Sequence, residues 1–178
     1  MLKDRNSPLI HSISKNTLAI FKNPLALAFI FSTSLLGGAY AFQYIGGLEP
    51  CDLCWTQRYA HMAIIAISLF GLIITKSNPA LKSPFIWLSF LGLVASSAIA
   101  GFHTGVEQKW WQGPSTCTSG DDFATSVDQL MENMFENAVI LCDQIAWQMF
   151  GISMAGYNFL LSTLMAVILL RAALKGFK

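Results

Sequence analysis

The chain has 178 residues, of which 54% are hydrophobic and only 12% charged, about half the charge of an ordinary soluble domain. A mean hydropathy of +0.52 points to a membrane protein. A net charge of +1 excludes the global basic field that attracts nucleic acid.

From Asn23 to Leu48 no side chain is charged, and 25–44 is a near-continuous apolar run. Twenty helical residues rise about 30 Å, the thickness of the hydrocarbon core. Stretches 59–75, 84–102 and 147–170 read the same way. The expected fold is an all-α bundle of four transmembrane helices, with 1–178 forming a single domain. The second stretch is short, so its helix is expected to begin nearer Trp55 or to lie where the bilayer thins. A cleaved signal peptide is the rival reading of the first run, because Ala39-Tyr40-Ala41 fits a small-x-small cleavage site. The run is long for a signal core and continues through that site, which favours a retained span.

Charge sets the orientation. Lys3, Arg5, Lys15, Lys22, Lys76, Lys82, Arg171, Lys175 and Lys178 lie on one side with a single acid, Asp4. Arg58, Lys109 and all other acids lie opposite. The basic side is cytoplasmic by the positive-inside bias, so both termini face the cytoplasm. Loops 45–58 and 103–146 then face the far side, in a bacterium the periplasm, and with them Cys51, Cys54, Cys117 and Cys142. Four cysteines in an oxidising compartment are compatible with two disulfides.

The first outer loop carries Pro50-Cys51-Asp52-Leu53-Cys54-Trp55-Thr56-Gln57-Arg58. A Cys-x-x-Cys pair signals redox chemistry or metal binding. Zinc normally needs a second such pair or a histidine cluster, and Cys117 and Cys142 lack that spacing. A structural staple is a poor explanation of Cys51 and Cys54, because so short a loop has little entropy to remove. For Cys117 and Cys142 the same model gives roughly 3 to 4 kcal/mol, so a structural bridge there is a serious alternative. Exchange chemistry needs a thiolate. Cys54 lies where the second helix begins, near its positive end. Arg58, four residues on, shares its face and stays charged. Arg58 as a snorkelling interfacial residue is the plainer alternative. His61 extends the same face, though weakly as a signal.

The second outer loop, roughly 45 residues long, exceeds what a simple connection needs. It opens with His103-Thr104, where His103 is a candidate proton carrier or quinone contact or else a structural histidine. Trp110 and Trp111 read as interfacial anchors. Phe123, Val127, Leu130, Met131, Met134, Phe135 and Ala138 follow helical periodicity, with Asp128, Glu132 and Glu136 on the wet side. An amphipathic helix on the membrane surface is expected there. No haem pair, dinucleotide loop or cluster motif is present to take electrons, so a lipid-soluble acceptor is the economical candidate.

Together these residues resemble the DsbB family of bacterial disulfide-oxidising membrane proteins. The likeness rests on Pro50-Cys51-x-x-Cys54-x-x-x-Arg58, His103-Thr104, the separated Cys117 and Cys142, and Trp147, Gly151 and Met154 entering the fourth span. The resemblance implies an inner-membrane thiol oxidase that reoxidises a soluble, thioredoxin-fold, DsbA-like partner. It implies ubiquinone or menaquinone as electron acceptor, so that the enzyme is a quinone-dependent protein-disulfide oxidoreductase. By position, Cys117 forms the mixed disulfide with the partner and Cys142 is its mate. A Cys51–Cys142 bridge is the implied intermediate, leaving Cys54 as the thiolate facing quinone. Arg58 holds the quinone, with His103 a further contact. Two alternatives are a vitamin-K-epoxide-reductase-like redox protein and a non-enzymatic membrane scaffold with structural disulfides. The former's quinone-proximal Cys-x-x-Cys lies later in its bundle; the latter, as a transporter subunit, would carry midplane ionisable residues.

Overall fold

Asn23 opens the first helix because its side-chain oxygen accepts the Leu25 N–H at 3.2 Å and proline follows at the first helical position. The computed structural model describes residues 23–115 and 140–175. Cys117 and the amphipathic helix expected over 123–138 lie outside them. The described elements are α1 (Pro24–Tyr44), α2 (Asp52–Ser77), a 3-10 turn (Pro79–Leu81), α3 (Lys82–Glu107), β1 (Gln148–Met149), β2 (Ile152–Ser153) and α4 (Met154–Lys175). All four α-helices are long and apolar enough to cross a membrane. The all-α, four-span reading therefore holds.

The packing follows the logic of a bundle in lipid. Helix α3 packs against α2 and α4, and α1 against α2. Bulky residues such as Phe70, Ile73, Leu91 and Leu164 face outward, while a core of Ala28, Ile64, Leu93, Met165, Ala166 and Leu169 fills the centre. Serines 32, 68, 89, 96 and 162 are fully buried. In hydrocarbon, helices associate through small residues and hydrogen bonds rather than water exclusion. Ser97 Oγ thus meets Thr163 Oγ1 at 2.7 Å across α3 and α4. At Gly92 a Cβ would come within 2.7 Å of Ile64 Cγ1, so glycine permits the close approach of α3 to α2.

Two helix starts differ from expectation. Helix α2 begins at Asp52, one turn before Trp55, because Cys51 acts as its N-cap and the Cys-x-x-Cys segment is helical. The fourth helix begins at Met154 rather than Trp147. Residues 148–153 instead form a tight antiparallel hairpin, with Gln148 opposite Ser153 and Met149 opposite Ile152. Phe150 and Gly151 turn it with φ of 52° and 77°, a mirror-image turn that glycine accommodates readily. Ser153 then caps α4, its Oγ accepting the Gly156 N–H at 3.1 Å.

Candidate redox site

The Cys-x-x-Cys pair occupies the first turn of α2. Cys51 and Cys54 are free thiols, and Cys51 Sγ donates to Cys54 Sγ at 3.1 Å. Cys51 Sγ also accepts the Cys54 N–H at 3.4 Å, which seats it as the helix cap. Both sulfurs lie at the positive end of the helix, but their surroundings differ. Cys51 is 5% exposed, and Cys54 is half-buried. The hydrogen bond to Cys54 and burial push the Cys51 thiol above its ordinary range, against the opposing contact with His103. Cys51 is thus the proton-holding member and Cys54 the acceptor.

His103, in the last turn of α3, comes to this pair from 52 residues away, with Nε2 3.7 Å from Cys51 Sγ. Gln57 Nε2 donates to His103 Nδ1 at 2.7 Å, so the ring proton sits on Nε2, facing Cys51. Glu107, one turn further, lies 3.9 Å from the same Nε2 and accepts a short hydrogen bond from Ser153 Oγ. The donor atoms of Cys51, Cys54 and His103 lie within 4.8 Å of one another, a set of ligand types that a thiophilic cation also favours.

Arg58 shares the helical face of Cys54, as its spacing predicts, but its guanidinium turns towards α1. It donates to Gln43 Oε1 at 2.5 Å and to the Ala39 carbonyl at 3.2 Å. The Tyr40 and Trp55 rings lie 4.9 and 5.0 Å from its central carbon. At 6% exposure it is no snorkelling residue. Among the described residues it has no carboxylate partner; neutral acceptors and two π faces hold its charge.

These groups border one cavity of about 320 Å³. Cys51, Cys54, Gln57, Arg58, His61, His103, Glu107 and Asn158 supply its polar wall, and Leu35, Leu36, Phe42, Trp147, Tyr157 and Leu161 much of its apolar one. An apolar pocket with a few convergent polar groups suits a small, largely apolar ligand. Among the described residues the cavity thus sets a buried cation with no acid partner beside a thiol pair, in an apolar slot between helices.

Cys142 is fully buried in an apolar cluster with Cys51, Leu53 and Val106. It is disulfide-bonded. The fold thus brings together Cys51, Cys54, Arg58, His103 and Cys142 of the expected site. Cys117 lies outside the described residues. Trp111 does more than anchor: its Nε1 donates to the Phe102 carbonyl at 3.0 Å, and its ring lies where a Cβ on Gly105 would stand.

Sequence reasoning missed Gln57, Glu107, Ser153 and Asn158. Glu107 and Asn158 each carried a signal, as a polar residue in or beside an apolar span. Glu107 also follows His103 by four positions, one helical turn.

The family model described as "Disulfide bond formation protein DsbB" matches residues 22–172. A "Disulfide bond formation protein B" of Xylella fastidiosa is 29% identical over 161 residues, covering 89% of this chain and 91% of that protein. One of Verminephrobacter eiseniae is 27% identical over 158 residues, covering 85% of each. An uncharacterized protein of Rickettsia prowazekii is 29% identical over 136 residues, covering 75% of this chain and 77% of its own length. No solved structure matches the chain.

Proposed function

Since the chain belongs to the DsbB family of disulfide bond formation proteins, we propose that it is a quinone-dependent thiol oxidase reoxidising a periplasmic, DsbA-like, thioredoxin-fold partner. It sits in the bacterial inner membrane with both termini cytoplasmic and its cysteines periplasmic, a reading that rests on the distribution of basic residues. The observation that carries the redox reading is the hydrogen-bonded Cys51–Cys54 pair in the wall of a cavity that also presents Arg58, buried and with no acid partner among the described residues.

The outer pair, Cys117 and Cys142, takes electrons from the partner. Cys117 forms the mixed disulfide; Cys142 is then released as a thiolate. Attack by Cys142 on the Cys51 sulfur of an inner disulfide forms the Cys51–Cys142 bond and breaks Cys51–Cys54. Cys54 leaves as a thiolate at the helix N-terminus, which favours the anion. The partner's second cysteine attacks the mixed disulfide, closing the partner's own disulfide and freeing Cys117 as a thiolate. Attack by Cys117 on Cys142 then closes the outer disulfide and releases Cys51, towards which His103 Nε2–H is held. The shared burial of Cys142 and Cys51 in one apolar cluster supports this exchange.

Ubiquinone or menaquinone supplies a two-electron, two-proton sink. The two inner thiols yield that number of each as their disulfide forms, so the balance closes. Arg58 would orient a ligand oxygen and stabilise negative charge beside Cys54; His103, with its Nε2–H held towards Cys51, would stabilise the Cys51 thiolate and border the ligand. The test is reconstitution of the protein with short-chain ubiquinone and a reduced DsbA-like partner, following quinone absorbance. Wild-type turnover with Cys54→Ala silent is the expected result. A wild-type rate no greater than that of Cys54→Ala overturns the reading.

A further inference from the structure

His61 lies seven residues beyond Cys54, on the same face of α2 and roughly 10 Å deeper along the helix axis. It is 3% exposed and lines the cavity. Its Nε2 lies 3.0 Å from Asn158 Oδ1 and 3.1 Å from Ser96 Oγ. Its Nδ1 is buried and has no hydrogen-bond partner among the described residues. Leaving a buried nitrogen unmatched costs about 1 to 3 kcal/mol, so such a group asks for an explanation.

The surrounding bonds decide what this nitrogen can do. Asn158 Nδ2 donates to Gln57 Oε1 at 2.7 Å, and Asn158 Oδ1 accepts from Ser162 Oγ at 2.9 Å. An amide oxygen can only accept, so the neutral His61 ring carries its proton on Nε2 and keeps a lone pair on Nδ1. A group in the cavity that satisfies Nδ1 must therefore bring an O–H or N–H. Phe31, packed edge-on against the ring at 6.3 Å between centroids, holds its orientation.

We propose that His61 Nδ1 is a hydroxyl-accepting subsite at the inner end of the cavity, binding the far hydroxyl of the reduced, quinol form of the ligand. This rests on the quinone reading above and adds to it a preference between redox states. A neutral Nδ1 accepts a quinol hydroxyl and opposes a quinone carbonyl lone pair with its own. Asn158 is the positioning residue, because its oxygen keeps the proton on Nε2. The reduced form gains one buried hydrogen bond, which corresponds to about a tenfold affinity preference. Tenfold tighter binding of quinol raises the two-electron potential of the bound couple by about 30 mV, drawing electrons from the thiols.

The test uses the full chain carrying Cys51→Ser and Cys54→Ser, so that no electrons pass to or from the ligand. Quenching of Trp147, which lines the cavity, reports binding of short-chain ubiquinone, and its quinol is then added as competitor. The quinol is expected to bind about tenfold more tightly. His61→Leu brings the ratio to about one. Asn158→Leu frees the ring to carry its proton on Nδ1 and inverts the preference towards quinone. The Asn158 arm reads the inference even where His61→Leu fails to fold. A ratio unchanged in the variants, or near one in the reference protein, overturns the subsite while quinone binding stands. No saturable quenching in the reference protein overturns the quinone reading itself, and the subsite with it.

Discussion

Replacing Arg58 with methionine keeps most of the side-chain volume and removes only the cation. The guanidinium makes hydrogen bonds to Gln43 and to the Ala39 carbonyl and lies against two aromatic faces. Each charged hydrogen bond contributes about 1.5 to 3 kcal/mol and each π contact about 0.5 to 2. Desolvating the charge costs several kcal/mol, and the contacts are not additive. The net loss of stability is therefore modest, about 1 to 3 kcal/mol. On the proposed role ligand affinity suffers differently, because the charge-assisted bond that Arg58 would make to a quinone oxygen is lost with no compensating relief. Its worth, about 1.5 to 3 kcal/mol, corresponds to a 10- to 150-fold rise in KM for quinone. The assay separates the half-reactions. Stopped-flow follows quinone reduction by the reduced protein; a single turnover follows partner oxidation by preoxidised protein. The first should slow at limiting quinone and the second should change less than threefold. Equal loss in both, or an unchanged KM, refutes the reasoning and makes Arg58 a structural residue.

The Cys51 thiol is raised chiefly by its bond to Cys54. Cys54→Ala removes that cause, so the midpoint of Cys51 alkylation by iodoacetamide moves to lower pH, read by mass spectrometry; an unmoved midpoint refutes the assignment of the proton to Cys51. Ser153→Ala removes the α4 cap, worth about 1 kcal/mol, and strips buried Glu107 of its donor. Its thermal midpoint should fall by several degrees, whereas Ser89→Ala, whose buried hydroxyl has no partner among the described residues, stays near wild type. Equal melting of the two variants refutes the cap.

What local sequence can carry was legible. Each span is a contiguous apolar run, and the bilayer fixes how long such a run must be, so the four helices were readable without contacts. The Cys51–Cys54 pair and Arg58 share a face because helix periodicity alone puts them there. The late start of α4 escaped, because Trp147 and Met149 are as apolar as the helix they precede, and only the Phe150–Gly151 turn separates them. The direction of Arg58 escaped too, since Gln43 and Tyr40 belong to another helix. Tertiary packing alone decided the rest. His103 reaches Cys51 across 52 residues and Asn158 reaches Gln57 across 101. No periodicity encodes such pairs; they exist because four helices fit together with their small residues inward. Composition and order therefore determined a membrane bundle with a thiol pair at one helix start. The packing decided which partners that pair would have, because a buried polar group takes its hydrogen bonds from whichever helix comes nearest.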